Sequence, residues 1–185
     1  MAIYIALLRG INVGGKNRIK MDDLKKSFVG LGFSHIETYI QSGNILFETN
    51  KDEEVIKSLI EKEINQTFGI SISIVLRTGE ELIRIVKDCP FTADEIVEAE
   101  RINTEGESLY VALLSKTPAD DYVNLLEKYK SELDQYKTLD KNIYLLLRHS
   151  IRNSKLANNL QKLDASVTVR NWKTMMKLSE MVNGH

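Results

Sequence analysis

The apolar run IYIALLR at residues 3–9 has a near copy, LYVALLS, at residues 109–115. A run of this kind, rich in β-formers and without polar alternation, is the pattern of a central strand buried on both faces. Each copy opens the same succession of patterns, which restricts the chain to a repeated architecture. After the first copy, MDDLKKSFVGLG places Leu24, Phe28 and Leu31 at helical spacing, with acids early, lysines later and Gly32 at the end. HIETYI and NILFET are short strands around QSG, a hairpin signal. DEEVIKSLIEKEINQTFG is a helix with Ile56, Leu59, Ile60 and Ile64 on its core face, and ISISIVLR closes the unit as a strand. The order βαββαβ is the ferredoxin-like arrangement.

After the second copy, Thr117-Pro118 predicts a helix cap followed by a first-turn proline. ADDYVNLLEKYK is amphipathic through Val123, Leu126 and Tyr129, and DQYKTL and NIYLLLR are strands around Asp140-Lys141. SKLANNLQKL predicts a short helix, ASVTVR a last strand and NWKTMMKLSEMV a final helix. The predicted fold class is therefore α+β: two tandem ferredoxin-like βαββαβ units, an internal duplication, with an added C-terminal helix. The units are expected at 1–78 and 107–185, joined by a helical connection at 79–106. Two Thr-x-x-Glu capping boxes mark that connection, TGEE from Thr78 and TADE from Thr92.

Bulk composition narrows the function only by exclusion. The 25 Lys and Arg nearly balance 26 Asp and Glu, so no global field favours nucleic acid or an anionic membrane, and any basic patch is local. Cys89 is the only cysteine, which leaves no disulfide framework and no cysteine metal cluster. His35, His149 and His185 show no ligand spacing, and no metal is expected. The N-terminal run lacks the basic flank and cleavage site of a signal peptide, and no run approaches a membrane span. A cytoplasmic protein without membrane partners, monomeric or homodimeric, is the expectation.

Residues 10–17, GINVGGKN, fall one side chain short of the phosphate-binding pattern GxxxxGK[ST]. Asn17 stands where the magnesium-binding hydroxyl belongs, the residues RIK delay the helix to Met21, and the central strands are expected to be antiparallel. These features exclude a Walker-type nucleotide site. Two readings of the loop remain. Either its glycines relieve positive φ angles, with Lys16, Arg18 and Lys20 solvated, or amides at Gly14 and Gly15 form an anion nest flanked by Arg9, Lys16 and Arg18.

Two other segments carry polar groups at turns. TYIQSGNILF puts Gln41, Ser42 and Asn44 at a hairpin tip, where tight-turn chemistry and a grip on a polar ligand both account for them. TVRNWKTMMKL sets Arg170, Asn171 and Trp172 where a strand runs into a helix, with Asn171 placed to cap it. Trp172, Met175, Met176 and Ser179 are expected on one helical face, as core or as the wall of an anion- or base-binding corner with Arg170. RHSIRNSKL adds basic residues, read as a solvated loop or as charge beside a phosphate groove. No carboxylate pair, Ser/His/Asp set or Cys/His set has a defensible spacing, so no catalytic residue and no cofactor is assigned.

Together, ALLRGINVGG with Met21 and Leu24, TYIQSGN followed by Ile-Leu-Phe, and SKL with TVRNWKTMMKL resemble the bacterial domain-of-unknown-function family 1697 over nearly the whole chain. Lys173 follows the Trp where that family more commonly has Asn. The resemblance implies an uncharacterised bacterial cytoplasmic protein with a fold related to tandem ferredoxin-like units, and it brings no activity. Its signature positions include Arg9, Gly10, Asn12, Gly14, Gly15, Gln41, Ser42, Gly43, Asn44, Arg170, Asn171 and Trp172. Polar signatures in loops are harder to explain by packing than apolar ones. The leading expectation is one polar cleft for a small anionic ligand, a nucleotide or phosphorylated metabolite, formed by the RGINVGG, QSGN and RNW segments, with Lys16 adding charge. Its alternatives are a single-stranded RNA-binding sheet face presenting Tyr4 and Tyr110, an enzyme on a phosphorylated or acyl substrate, and an assembly role.

Overall fold

The computed structural model describes residues 1–185 apart from Ala165 and the side chain of Leu163. The described elements are β1 (Ala2–Leu8), α1 (Met21–Gly30), β2 (Ser34–Tyr39), β3 (Asn44–Thr49), α2 (Glu53–Phe68), β4 (Ile74–Thr78), α3 (Gly79–Lys87), α4 (Ala93–Ile102), β5 (Leu109–Leu113), α5 (Asp120–Glu127), β6 (Asp134–Leu139), β7 (Asn142–Leu147), α6 (Lys155–Leu163), β8 (Thr168–Asn171) and α7 (Trp172–Asn183). Two four-stranded antiparallel sheets result, ordered β2-β3-β1-β4 and β6-β7-β5-β8. The tandem ferredoxin-like α+β fold with its C-terminal helix is the one the sequence pattern predicts. The chain divides into two compact units, Met1–Arg84 with Leu178–His185, and Ile85–Lys177.

In the first unit, Ala6 and Leu8 of β1 and Ile45 and Phe47 of β3 pack with Leu24 and Phe28 of α1 and Ile56, Ile60 and Ile64 of α2. The i, i+4 repeat of the three isoleucines puts them on one helix face, and all three are fully buried. Phe47 centres an aromatic cluster, with ring centroids 4.6 Å from Phe33 and 5.3 Å from Phe28. Ile5 and Leu7 alternate onto the opposite face of the sheet and are also fully buried, as a continuous apolar strand requires. The second unit repeats the plan with Ala112, Ile143, Leu145, Leu126, Leu156 and Leu160.

Both predicted capping boxes form. The Thr78 hydroxyl accepts from the Glu81 amide at 3.1 Å, and Glu81 accepts from the Thr78 amide at 2.8 Å. At α4 the Thr92 hydroxyl accepts from the Glu95 amide and Glu95 accepts from the Thr92 amide at 2.7 Å. Thr92→Ala is therefore expected to cost about 1 kcal/mol, read as a lower urea midpoint at unchanged slope.

Three local expectations are corrected. The helix after Thr117-Pro118 starts only at Asp120, with extended Ala119 as its cap, and Asp120 and Asp121 rather than a hydroxyl face its N-terminal dipole. In α7 the buried residues are Thr174, Met175, Leu178, Ser179 and Val182, a narrow stripe that leaves Met176 45% exposed at its side. The last strand begins at Thr168 rather than at Ala165, which lies outside the described residues.

Candidate functional site

The segment after β1 folds back on itself instead of running into a helix. The Lys16 amide donates to the Val13 carbonyl at 3.0 Å, and the Asn12 amide to the Asn17 carbonyl at 3.1 Å. Gly14 and Gly15, at φ +58° and +76°, are the central pair of this small hairpin, which is the type I′ turn. The glycines thus serve the turn, and Lys16 stands exposed beside it. Asn12 and Asn17 also take positive φ, at +53° and +50°, and each is held by its side chain. Asn17 Nδ2 donates to the carbonyl of Gly10, itself at φ +73°.

Asn12 is the staple of the region. Its Nδ2 donates to the Ile19 carbonyl at 3.0 Å and to the Gln41 carbonyl at 2.8 Å, while its Oδ1 accepts from the Ile19 amide at 2.9 Å. One amide side chain therefore joins both ends of the loop to the β2–β3 turn. A second tie is backbone, from the Leu8 amide to the Gly43 carbonyl at 2.8 Å. Within the turn, Asn44 is fully buried and donates to the Tyr39 carbonyl and to Ser42 Oγ. The RGINVGG and QSGN segments are thus brought together in the first unit, with Arg9 half-buried at the root of the loop.

Beside this junction lies a cavity of about 520 Å³ lined by Asn12, Gly15, Arg18, Ile19, Lys20 and Gln41. Asn12 has its amide engaged by backbone, whereas Gln41, Arg18 and Lys20 are exposed. Among the described residues the lining carries two cations and no carboxylate. A cavity of about 470 Å³ in the second unit lies at the corresponding end of β5, lined by Leu114, Lys116, Thr117, Tyr122, Asp164 and Ser166 among others. There the single lysine is accompanied by an acid. Burial pushes the Tyr122 phenol up to about 12, so it stays a neutral donor to the Leu160 carbonyl.

The RNW segment belongs to the second unit. Asn171 Oδ1 accepts from the Thr174 amide at 2.8 Å, the predicted cap of α7. Arg170 donates to Thr168 Oγ1 at 3.3 Å and to the Val169 carbonyl at 3.1 Å. Burial pushes its guanidinium down to about 10, so it remains charged at neutral pH. The half-buried Trp172 ring lies 6.5 Å from that of Tyr144, which is buried in β7.

Strand register shows a counterpart that the sequence reading missed. Val111 of β5 pairs with Arg170, and Ile5 of β1 pairs with Arg77, at matching places in the two sheets. Arg77 is 1% exposed, donates to the preceding Leu76 carbonyl at 2.8 Å, and has its pKa lowered by burial. The following residues, Thr78 and Asn171, each cap a helix. The alignment of SIVLRT with SVTVRN was the available signal.

Tyr4 and Tyr110 do not stand on an open sheet face. Each packs against the helix-covered core of its own unit. In the basic segment 148–156, His149 Nε2 meets Asp134 Oδ1 at 2.7 Å and Ser154 caps α6, so hydrogen bonds within the second unit account for much of its polarity.

Residues 1–144 match the family model described as Protein of unknown function (DUF1697). The chain belongs to that family. The conserved bacterial protein SP0830 from Streptococcus pneumoniae has a similar structure, with a TM-score of 0.75 at 23% identity over 98% of each chain. At that identity the likeness shows the fold alone. A search among curated proteins finds no match. For this DUF1697 chain the signature residues of the first unit divide by role. Asn12, Gly43 and Asn44 build the junction, and Gln41 lines the cavity. No helix among the described residues is long and apolar enough to cross a membrane.

Proposed function

We propose that this protein binds a small anionic ligand, a nucleotide or phosphorylated metabolite, in the first-unit cavity beside Arg18 and Lys20. The observation that carries this reading is the lining itself: among the described residues, two cations, the Gln41 amide and no carboxylate around about 520 Å³. That volume is of small-molecule size. Arg18 supplies a planar fork of donors for phosphate oxygens, Lys20 a mobile point charge, and Gln41 an orienting donor or acceptor. Asn12 ties the loop that carries Arg18 and Lys20 to the turn that carries Gln41. The same reading takes the two units as an internal duplication, supported by the repeated strand order and the matching registers of Arg77 and Arg170. It places the protein in the cytoplasm, where such ligands are abundant. RNA binding on a sheet face draws no support from Tyr4 and Tyr110, which lie against helical cores.

Thermal unfolding with inorganic phosphate, nucleotides and sugar phosphates tests the proposal. At least one anion is expected to raise Tm of the wild type with saturation. Its affinity should fall about tenfold or more in the Arg18→Ala, Lys20→Ala double variant. Equal shifts in wild type and double variant for every anion would sink the reading.

A further inference from the structure

We propose that His35, Glu48 and His185 form a site for one divalent transition-metal ion of zinc type, with Glu37 orienting His185 from behind. The three residues are remote in sequence but belong to the first unit. Glu48 Oε1 lies 3.0 Å from His35 Nδ1 and 3.6 Å from His185 Nδ1, and the candidate ligand atoms all fall within 4.8 Å of one another. Ligands about 2.1 Å from a tetrahedral zinc are about 3.4 Å apart. Two of the contacts are already near that spacing. The His35 side chain, 64% exposed, is free to close the remainder.

Local structure assembles this group for a reason. The β2–β3 pairing shifts register between Ser34 and Glu37, and His35 takes φ +47° within the bulge. His35 and Glu37, two residues apart, both reach His185, the first with ring centroids 6.1 Å apart and the second through its carboxylate. Glu48 and His185 have side chains only 15% and 13% exposed, so the anchor of the site is sheltered.

A second observation points to metal rather than to a simple charge cluster. With His185 Nδ1 turned to Glu48, its other ring nitrogen, Nε2, meets Glu37 Oε1 at 2.9 Å. A carboxylate behind an imidazole fixes the tautomer that leaves the opposite nitrogen as a ligand, the arrangement metal-bound histidines use. Two imidazoles and one carboxylate select zinc-like ions over magnesium or calcium, and three protein ligands leave a fourth position for solvent. A metal there would tie the end of the chain to the β2 edge of the first sheet.

The test uses the chain of residues 1–185 without an affinity tag, stripped with EDTA and titrated with zinc chloride by calorimetry and with cobalt(II) by visible absorption. One equivalent is expected to bind, with a cobalt spectrum of low-coordinate type, a Tm that rises with zinc and reversal by EDTA. Affinity should drop at least about tenfold in His35→Ala and in His185→Ala, and about 10–100-fold in Glu37→Gln. It should be unchanged in His149→Ala. Absence of saturable one-to-one binding, or binding that survives His185→Ala undiminished, would overturn the proposal.

Discussion

Gly43→Ala is expected to destabilise the first unit by on the order of 3 kcal/mol, from about 1 for the left-handed backbone and about 2 for overpacking. Gly43 sits at φ +78°, and a Cβ there would lie 2.8 Å from Leu8 Cβ and 2.8 Å from Ile11 Cδ1. Neither neighbour can yield easily. Leu8 is fully buried in β1, Ile11 is 1% exposed, and the Gly43 carbonyl is bonded to the Leu8 amide. The loop and the turn meet because this position has no side chain. Gly14→Ala is the control: its φ is +58°, with nothing within 4 Å of the added carbon, so only the backbone cost of about 1 kcal/mol applies. Urea unfolding of the two variants separates packing from conformation. Equal midpoints would show that the close approach to Leu8 does not matter.

Asn12→Ala is expected to cost a similar amount, about 1 kcal/mol for each hydrogen bond lost to Ile19 and Gln41, with further strain at φ +53°. Its distinguishing signature is local. The Ile19 amide loses its acceptor, so hydrogen exchange there and through residues 10–20 should accelerate by more than global destabilisation explains. The anion-dependent rise in Tm should weaken as well, because Arg18 and Lys20 lose their fixed platform. Thr92→Ala, which lowers stability in the other unit, should leave that rise intact. Unchanged exchange at Ile19 would mean the loop is held by other contacts.

Much of the candidate site was legible as residues but not as roles. Asn12 and Asn44 look like ligand-binding amides in a linear reading, because a polar side chain in a Gly-rich loop has no partner until the chain folds. In the structure Asn12 spends its donors on the Ile19 and Gln41 carbonyls, and Asn44 on the Tyr39 carbonyl and Ser42 Oγ. The Gly14-Gly15 pair reads as a turn or as an anion nest. The Val13–Lys16 bond gives the pair its place in a turn. Lys20, by contrast, reads only as a solvated charge, and Arg18 as solvated or as the flank of an anion nest; both line the cavity.

The sequence by itself determined the architecture. Repeated buried strands, isoleucines at i, i+4 and caps at Thr78, Thr92 and Asn171 act through neighbours a few residues apart, where spacing alone sets geometry. Only the tertiary structure decided which polar groups meet. The tie of Asn12 to Gln41 and the gathering of His35, Glu48 and His185 depend on strand register, a bulge and the path of the C-terminal helix. Those are long-range outcomes of burying the apolar faces, and no local pattern records which surface residues they carry together.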